Sequence, residues 1–341
     1  MRKNSLFLPK TITAMLIIKR HHTDPYFNLA AEEYILKNYQ EDVFMLWRNS
    51  PSIIVGKHQN TLSEINVEYV RRNNIPVVRR LSGGGAVFHD LGNLNFTFIQ
   101  TGESEKLINF RKYTEPILEV LLKIGIQAKF EGRNDLTIGG RKFSGNAEHV
   151  YKNRVLHHGT LLFSAQMTDL TQALNVDPLK FQDKAVKSVR SRVTNISEHL
   201  EFPMDVQEFA MLIESHMVEK NSDARFTELS LEDHALIDDL VAKKYNTWEW
   251  NFGYSPAYNF RKVLRTEKSG SIEFKLDVQS GTMMMVKISG DYFGKVDTDE
   301  LETLLTDLPH REEDIRNVLK DYSIGDFISH LTIDEFISGL F

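Results

Sequence analysis

The chain has 341 residues, of which 41% are hydrophobic, 10% aromatic and 26% charged, and its 41 Lys and Arg against 47 Asp and Glu give a net charge of −6. Such a composition builds a buried core and excludes a disordered chain, and at ~100–200 residues per domain the length predicts two domains. The absence of cysteine excludes a disulfide scaffold, thiolate catalysis and Cys-ligated zinc, and no apolar run approaches the ~20 residues that cross a bilayer.

Residues 1–14 carry Arg2, Lys3 and Lys10 without an acid, and Pro9 and Lys10 interrupt any apolar stretch, so a leader or disordered tail is expected there. Leu16-Ile17-Ile18 reads as the first strand. Asp24-Pro25 is an N-cap with Pro at the first helical position and predicts a helix to about Lys37. Val43–Trp47, Ser52–Val55 and Pro76–Arg80 read as short strands, with a helix over Asn66–Asn73. Ala86–His89 and Asn95–Ile99 alternate about Leu91-Gly92-Asn93 and predict a hairpin. A helix is expected over Arg111–Ile124, ending at Gly125. Strands are expected over Ala128–Phe130, Lys142–Val150 and Val155–Phe163, then helices over Thr168–Leu174, Val206–Lys220 and Leu231–Lys244. Asn251–Ala257 breaks the periodicity and marks a domain boundary. Two alternating segments, Ser271–Val278 and Thr282–Ser289, and three short acidic helices follow. The pattern is α+β: a mixed β-sheet with flanking helices over residues 15–250 and a small α+β accessory domain over 258–341.

Charge is uneven along the chain. Residues 123–192 hold 12 Lys and Arg against 6 Asp and Glu, whereas residues 297–341 hold 3 against 12. A basic middle in an acidic protein suits a phosphate-bearing ligand or an acidic partner, and no nucleic acid or membrane is expected as a partner.

The chemistry concentrates in two stretches. In Arg79-Arg80-Leu81-Ser82-Gly83-Gly84-Gly85-Ala86-Val87-Phe88-His89-Asp90, three glycines leave backbone N–H groups unobstructed and allow the positive φ of an anion-cradling turn. The two arginines either supply cationic forks for phosphate or are surface residues beside a plain glycine turn. Neither a Walker A pattern nor a dinucleotide fingerprint is present. The second stretch is Gly132-Arg133-Asn134-Asp135-Leu136, followed by Gly139-Gly140-Arg141-Lys142-Phe143-Ser144-Gly145-Asn146-Ala147. A strand lysine between glycine turns is a candidate fixed positive charge, and Asn134 and Asp135 are either a plain turn or contacts to Mg²⁺ and phosphate. His89, His157 and His158 show no metal-ligand spacing.

In this order the motifs resemble those of lipoate–protein ligases, the ATP-dependent branch of the biotin/lipoate ligase family. The resemblance runs from about Ile17 to the C-terminus and also includes Leu46-Trp47, His157–Leu162, Ser188–Asn195 and Trp248–Gly253. It implies a class II ligase/biotin synthetase-like catalytic domain and a two-step reaction. Lipoate and ATP with Mg²⁺ give lipoyl-AMP and pyrophosphate, and the lipoyl group then passes to a lysine of an apo lipoyl domain. The implied acceptors are 2-oxoacid dehydrogenase complexes or the glycine-cleavage carrier protein, with octanoate as a further candidate acid. The resemblance implies Lys142 as the catalytic group. It implies Arg80, Gly85, Ala86, Val87, Phe88, Asn134, Asp135 and Lys142 for ATP, with Asp135 at the Mg²⁺. For lipoate it implies Trp47, Ser82, Gly83, His89, Lys142 and His158, with Val87 and Phe88 adding to the pocket wall. Lys180–Arg192 is expected as a flap over the adenylate, and the C-terminal domain is expected to make the chain self-sufficient and to rotate between the two steps. Octanoyl transfer through an acyl-cysteine is excluded by the absence of cysteine, and biotin ligation by the absence of its Gly-Arg-Gly-Arg-rich loop. A lipoyltransferase using preformed lipoyl-AMP remains the alternative. The sequence names no base for the transfer step, and a cytosolic address is expected.

Overall fold

The computed structural model describes residues 14–102, 108–174, 181–183 and 192–341. The expected leader and most of the expected Lys180–Arg192 flap lie outside the described residues. The strands in chain order are β1 (Leu16–Ile18), β2 (Val43–Trp47), β3 (Ser52–Val55), β4 (Val77–Arg79), β5 (Val87–His89), β6 (Asn93–Thr101), β7 (Ala128–Glu131), β8 (Asp135–Ile138), β9 (Arg141–Tyr151), β10 (Arg154–Leu162), β11 (Phe181–Asp183), β12 (Arg225–Thr227), β13 (Tyr258–Thr266), β14 (Gly270–Gln279) and β15 (Thr282–Asp291). They form an eight-stranded sheet in the order β12-β1-β2-β6-β10-β9-β8-β7, a three-stranded sheet β4-β3-β5 and a four-stranded sheet β11-β13-β14-β15. In the large sheet β12, β1 and β2 run parallel and the remaining pairs are antiparallel.

Both faces of the large sheet are covered, and the period of two along β2 shows how. Phe44 and Leu46 point into a cluster with Ile117, Val120 and Leu121 of helix Phe110–Lys123 and Phe209, Ile213 and Met217 of helix Val206–Lys220. Val43, Met45 and Trp47 point into the opposite cluster with Leu29 and Leu36 of helix Pro25–Asn38 and Ile237 of helix Leu231–Leu240. The first of these helices starts as expected: Pro25 opens it, and the Asp24 carboxylate accepts from the Tyr26 and Phe27 amides. Among the described residues no helix is long and apolar enough to cross a membrane.

The expected hairpin about Leu91-Gly92-Asn93 does not form. β5 pairs with β3 in the small sheet, whereas β6 pairs with β2 and β10 in the large one. The turn itself is tightly fixed. Asp90 Oδ1 accepts from the Gly92 and Asn93 amides at 2.8 and 3.1 Å, and a Cβ on Gly92 would lie 2.2 Å from the Ser164 carbonyl oxygen. β6 is buried on both faces over most of its length, and such a strand takes a partner on each side in the large sheet. β8 and β13 went unseen in the sequence pattern, the first for its shortness and the second for its charged outer face. The C-terminal unit therefore has a three-strand meander, β13-β14-β15. Four helices cover its inner face: Asp299–Leu305, Glu312–Leu319, Ile324–Phe327 and Ile333–Leu340. β11 adds to its edge against β13.

Candidate active site

One row of residues crosses the large sheet. Trp47 on β2 lies opposite Asn95 on β6, and Asn95 lies opposite Thr160 on β10. The Thr160 hydroxyl oxygen accepts from the Gly145 amide of β9 at 3.1 Å, and Gly145 lies opposite Asp135 on β8. Directly opposed residues in a sheet share a face, and all five line one cavity of about 520 Å³. This volume is in the range of small-molecule sites.

Lys142 stands at the Asp135 end. A register shift between Leu136 and Thr137 sets Ser144 opposite Leu136 and Lys142 opposite Thr137, and a bulge of this kind re-aims a side chain. On its other side the Lys142 backbone bonds to the Arg192 carbonyl at 2.9 Å and to the Thr194 amide at 3.0 Å. Its ammonium lies 2.8 Å from Asp135 Oδ1, and its side chain is 28% exposed. A Cβ on Gly145 would lie 3.0 Å from Lys142 Nζ, so a side chain there would crowd the ammonium. The preceding turn is pinned by a reciprocal amide pair: Asn134 Nδ2 donates to the Asn146 carbonyl at 2.6 Å, and Asn146 Nδ2 donates to the Asn134 carbonyl at 3.0 Å.

The triglycine bend forms the adjoining wall. Gly84 has φ +92°, which favours glycine. Gly56 must be glycine for a different reason, because a Cβ there would lie 2.0 Å from the Gly84 carbonyl oxygen. Arg80 is the organiser of the bend. Its Nη2 donates to the Gly83 and Gly85 carbonyls at 2.7 and 2.8 Å, its Nη1 to the Ile54 carbonyl at 3.2 Å and its Nε to Ser82 Oγ at 3.0 Å. Burial lowers its pKa to about 10, which leaves it cationic at neutral pH. With these carbonyls turned onto Arg80, the amides of Gly83, Gly84 and Gly85 donate no hydrogen bond among the described residues.

The two arginines do not act as a pair, contrary to the sequence expectation. Arg79 is fully buried and does not line the cavity. Its guanidinium donates to the carbonyls of Gly56, Lys57, Gln59, Trp250 and Asn251 and to the hydroxyls of Thr61 and Ser255. It ties the loop after β3 to the segment that leads into the C-terminal unit. Adjacent residues on a strand face opposite ways, and the phosphate expectation therefore fails for Arg79.

Behind the cavity wall runs a directional chain of hydrogen bonds. Trp47 Nε1 donates to Thr97 Oγ1 at 2.9 Å, and the Thr97 hydroxyl donates to Glu32 Oε1 at 2.6 Å. His158 Nδ1 faces the same carboxylate at 3.0 Å and carries the proton. Ser82 Oγ accepts from Arg80, which can only donate, and pairs with His158 Nε2 at 2.6 Å. His157, one residue away, points to the other face, bonded to Glu148 at 2.9 Å and packed 4.9 Å from the Tyr113 ring. Burial holds its pKa below the usual histidine value.

Of the residues expected at the site, Trp47, Arg80, Gly83, Gly85, Ala86, Val87, His89, Asn134, Asp135, Lys142 and His158 all line the cavity. Ser82 lies behind it, 1% exposed. Phe88 turns into the small core beside Ile53 and Val55 instead of the pocket wall, because alternation along β5 puts its neighbours Val87 and His89 on the cavity side. Sequence reasoning missed Asn95, which the sheet register brings to the site, and Glu32, which helix Pro25–Asn38 carries behind it; Arg133, Asn146 and Thr160 stood in the quoted motifs without being singled out. Among the described residues no group of three or more His, Asp or Glu could hold a metal ion. At the Lys142 end Asp135 offers a carboxylate, a donor that suits Mg²⁺ carried in on phosphates.

Comparison with known proteins agrees with this geometry. Residues 24–218 match the lipoyl protein ligase A/B catalytic domain family, and residues 255–340 match the bacterial lipoate protein ligase C-terminus family. The chain is 43% identical over 317 residues to lipoate–protein ligase 1 of Staphylococcus aureus, covering 92% of this chain and 96% of that protein. Among solved structures, a lipoate-protein ligase A bound with ATP is 25% identical with a TM-score of 0.60, covering 71% of this chain and 99% of the other. P. falciparum LipL1 in complex with lipoate is 26% identical with a TM-score of 0.61, covering 96% and 98%. With the catalytic and C-terminal families matched in order along most of its length, this chain belongs to the lipoate–protein ligases.

Proposed function

We propose that this ligase makes a lipoyl-adenylate in the cavity and then passes the lipoyl group to a lysine of a lipoyl domain. In the first step a lipoate carboxylate oxygen attacks the α-phosphorus of ATP, the bond to the β-phosphate oxygen breaks, and pyrophosphate leaves. In the second, the acceptor amine attacks the acyl carbon, AMP leaves with the bonding pair, and the amine gives up its proton. The acceptors that fit the family are the lipoyl domains of 2-oxoacid dehydrogenases and the glycine-cleavage carrier protein.

The observation that carries this reading is the fixed Lys142 ammonium at one end of a trough that Arg80 and Arg133 also line. Two anions have to meet there, and a preplaced cation reduces their repulsion and stabilises the charge that grows on the α-phosphate oxygens. A single contact at 4 Å is worth about 4 kcal/mol at an effective dielectric constant of 20. Asp135 holds the ammonium in place before substrates arrive. The amides of Gly83, Gly84 and Gly85 supply neutral donors to phosphate oxygens, and Arg80 keeps those amides aimed. Asn134 and Asp135 would hold Mg²⁺ with the ATP phosphates, where it neutralises phosphate charge. Trp47, Val87 and Leu29 would enclose the acyl chain, each buried methylene contributing ~0.8 kcal/mol, and the same enclosure would keep water from the mixed anhydride.

Lipoate-dependent exchange of pyrophosphate into ATP tests the reading. Active exchange supports adenylation by this chain; folded protein that transfers from synthetic lipoyl-AMP but exchanges nothing overturns it in favour of a transferase.

A further inference from the structure

The ion pair that presents Lys142 does not account for its own geometry. The two side chains are 28% and 32% exposed, and an ion pair so open to water is worth only about 0–1 kcal/mol. Asp135 also follows directly on the turn Gly132-Arg133-Asn134, which joins β7 to β8 at the edge of the large sheet. A hairpin tip at a sheet edge has little beyond its own two strands to hold it. The Asp135 carboxylate therefore needs an anchor from elsewhere in the fold.

The far face of the sheet supplies one. Gly145 lies in the row that lines the cavity, so the side chains of Ser144 and Asn146 point the opposite way. There they meet the aromatic layer of Phe96, Phe110 and Tyr113 that surrounds His157. Asn146 is buried and lies opposite Gly159 on β10. A Cβ on Gly159 would stand 2.2 Å from Asn146 Oδ1, so the amide fills space that only glycine leaves open. Asn146 Nδ2 donates to the Asn134 carbonyl at 3.0 Å and to Ser144 Oγ at 3.2 Å, and the Asn146 backbone amide donates to the same carbonyl at 3.0 Å. In return Asn134 Nδ2 donates to the Asn146 carbonyl at 2.6 Å. With both Nδ2 protons engaged, Asn146 Oδ1 faces His157 Nε2 at 3.3 Å, and His157 Nδ1 faces Glu148 Oε1 at 2.9 Å. That same Glu148 oxygen accepts from the Asn109 amide at 3.3 Å, at the start of helix Phe110–Lys123. Strand pairing does not require this ladder, because the β9 backbone already pairs with β8 and β10. Burying polar groups in an aromatic layer is costly unless they are matched, and this ladder ends on the turn that carries Asp135.

Resting on the ligase reading above, we propose that Asn146, backed by His157 and Glu148, is a positioning residue that acts through Asn134 to hold Asp135, and with it the Lys142 ammonium, in the geometry that adenylation needs. A displacement of about 1 Å in such a group costs on the order of 10²-fold in rate. The Trp47 end of the cavity, across the sheet, is left as it was.

The test is a double-mutant cycle in the full-length enzyme, read by lipoate-dependent ATP–pyrophosphate exchange, with urea unfolding to check the fold. Asn146→Leu keeps the volume and removes the donor. It is expected to lower kcat on the order of 10²-fold while KM for lipoate stays within about twofold. Asp135→Asn is expected to cost a similar factor, and adding Asn146→Leu to it no more than about twofold further, because the anchor acts only through that carboxylate. A general loss of packing would instead subtract the same factor in both backgrounds. Asn146→Ser serves the same cycle where the leucine variant does not fold. The wild-type protein gives a reading that needs no variant: the side-chain amide protons of Asn134 and Asn146 are expected to be protected from deuterium exchange before any substrate is added. Wild-type kcat in Asn146→Leu, equal losses in both backgrounds, or unprotected side-chain amides overturns the assignment and leaves the ligase reading standing. Wild-type protein that incorporates no pyrophosphate into ATP with lipoate overturns the ligase reading and this inference with it.

Discussion

Two buried histidines separate the two halves of the molecule. In the C-terminal unit His310 is 2% exposed; Tyr258 donates to its Nδ1 at 2.6 Å, its Nε2 donates to the Leu340 carbonyl at 2.7 Å, and Phe341 stacks on it at 4.5 Å. In the catalytic unit His89 is equally buried and neutral, yet only one of its nitrogens is matched. Burial lowers the pKa of both, to about 4 and about 3. Of two residues alike in burial and charge, the saturated one sits inside a closed core, and the half-saturated one sits in the cavity wall. Among the described residues His89, Asn95 and Glu148 on the cavity wall each keep an unpaired buried polar atom, but so do Ser269 and Asp314 in the C-terminal unit.

The contrast can be broken at several points. The largest effect is expected on the catalytic side without loss of structure. Lys142→Ala should lower lipoate-dependent exchange by about 10³-fold or more, while the thermal midpoint barely moves because the side chain is partly exposed. Near-normal exchange in that variant would remove Lys142 from the transition state. Arg79→Met should do the reverse and act first on folding. It removes seven buried hydrogen bonds at once and leaves carbonyls such as those of Lys57 and Trp250 without the guanidinium, at a cost on the order of 4 kcal/mol. Urea unfolding with a wild-type midpoint would contradict it.

Acid sharpens the comparison. His310 takes up a proton in the unfolded chain below about pH 6.5, but in the folded chain only below about 4. Between those values the unfolded state binds more protons, so stability falls as pH falls from 6.5 to 4 and levels off below. The loss amounts to on the order of 3 kcal/mol. Unfolding measured across that range should show a shallower slope in His310→Phe, the residual slope including His89; an identical slope would refute the assignment. The smallest effect is local. Thr332 and Glu335 form a capping box on helix Ile333–Leu340, and Thr332→Ala should cost about 1 kcal/mol with exchange unaltered at temperatures well below unfolding.

How far the sequence could be read follows from the range of each interaction. The triglycine bend, the strand carrying Lys142 and the helix capped by Asp24 are written in contiguous residues, and all three are where the pattern placed them. Alternation marked β5 and β6 as strands, but which sheet each joins is decided by partners far along the chain. For that reason the expected hairpin resolved into two sheets. Arg79 and Arg80 look interchangeable in a string of letters. Only the pleat reveals that one looks inward to the bend and the other toward Asn251, which follows it by 172 positions. Glu32 and Thr97 escaped notice for the same reason, being ordinary helix and strand residues until His158 and Trp47 arrive beside them.

The anchorage of Arg79 has a mechanical corollary. Trp250, Asn251 and Ser255 are clamped to it, and Thr61 bonds to both Asn251 and Ser255, so the stretch up to Ser255 is bolted to the catalytic body despite its position in the chain. If residues 258–341 swing to admit a carrier protein, the pivot falls at Pro256-Ala257, a hinge two residues wide.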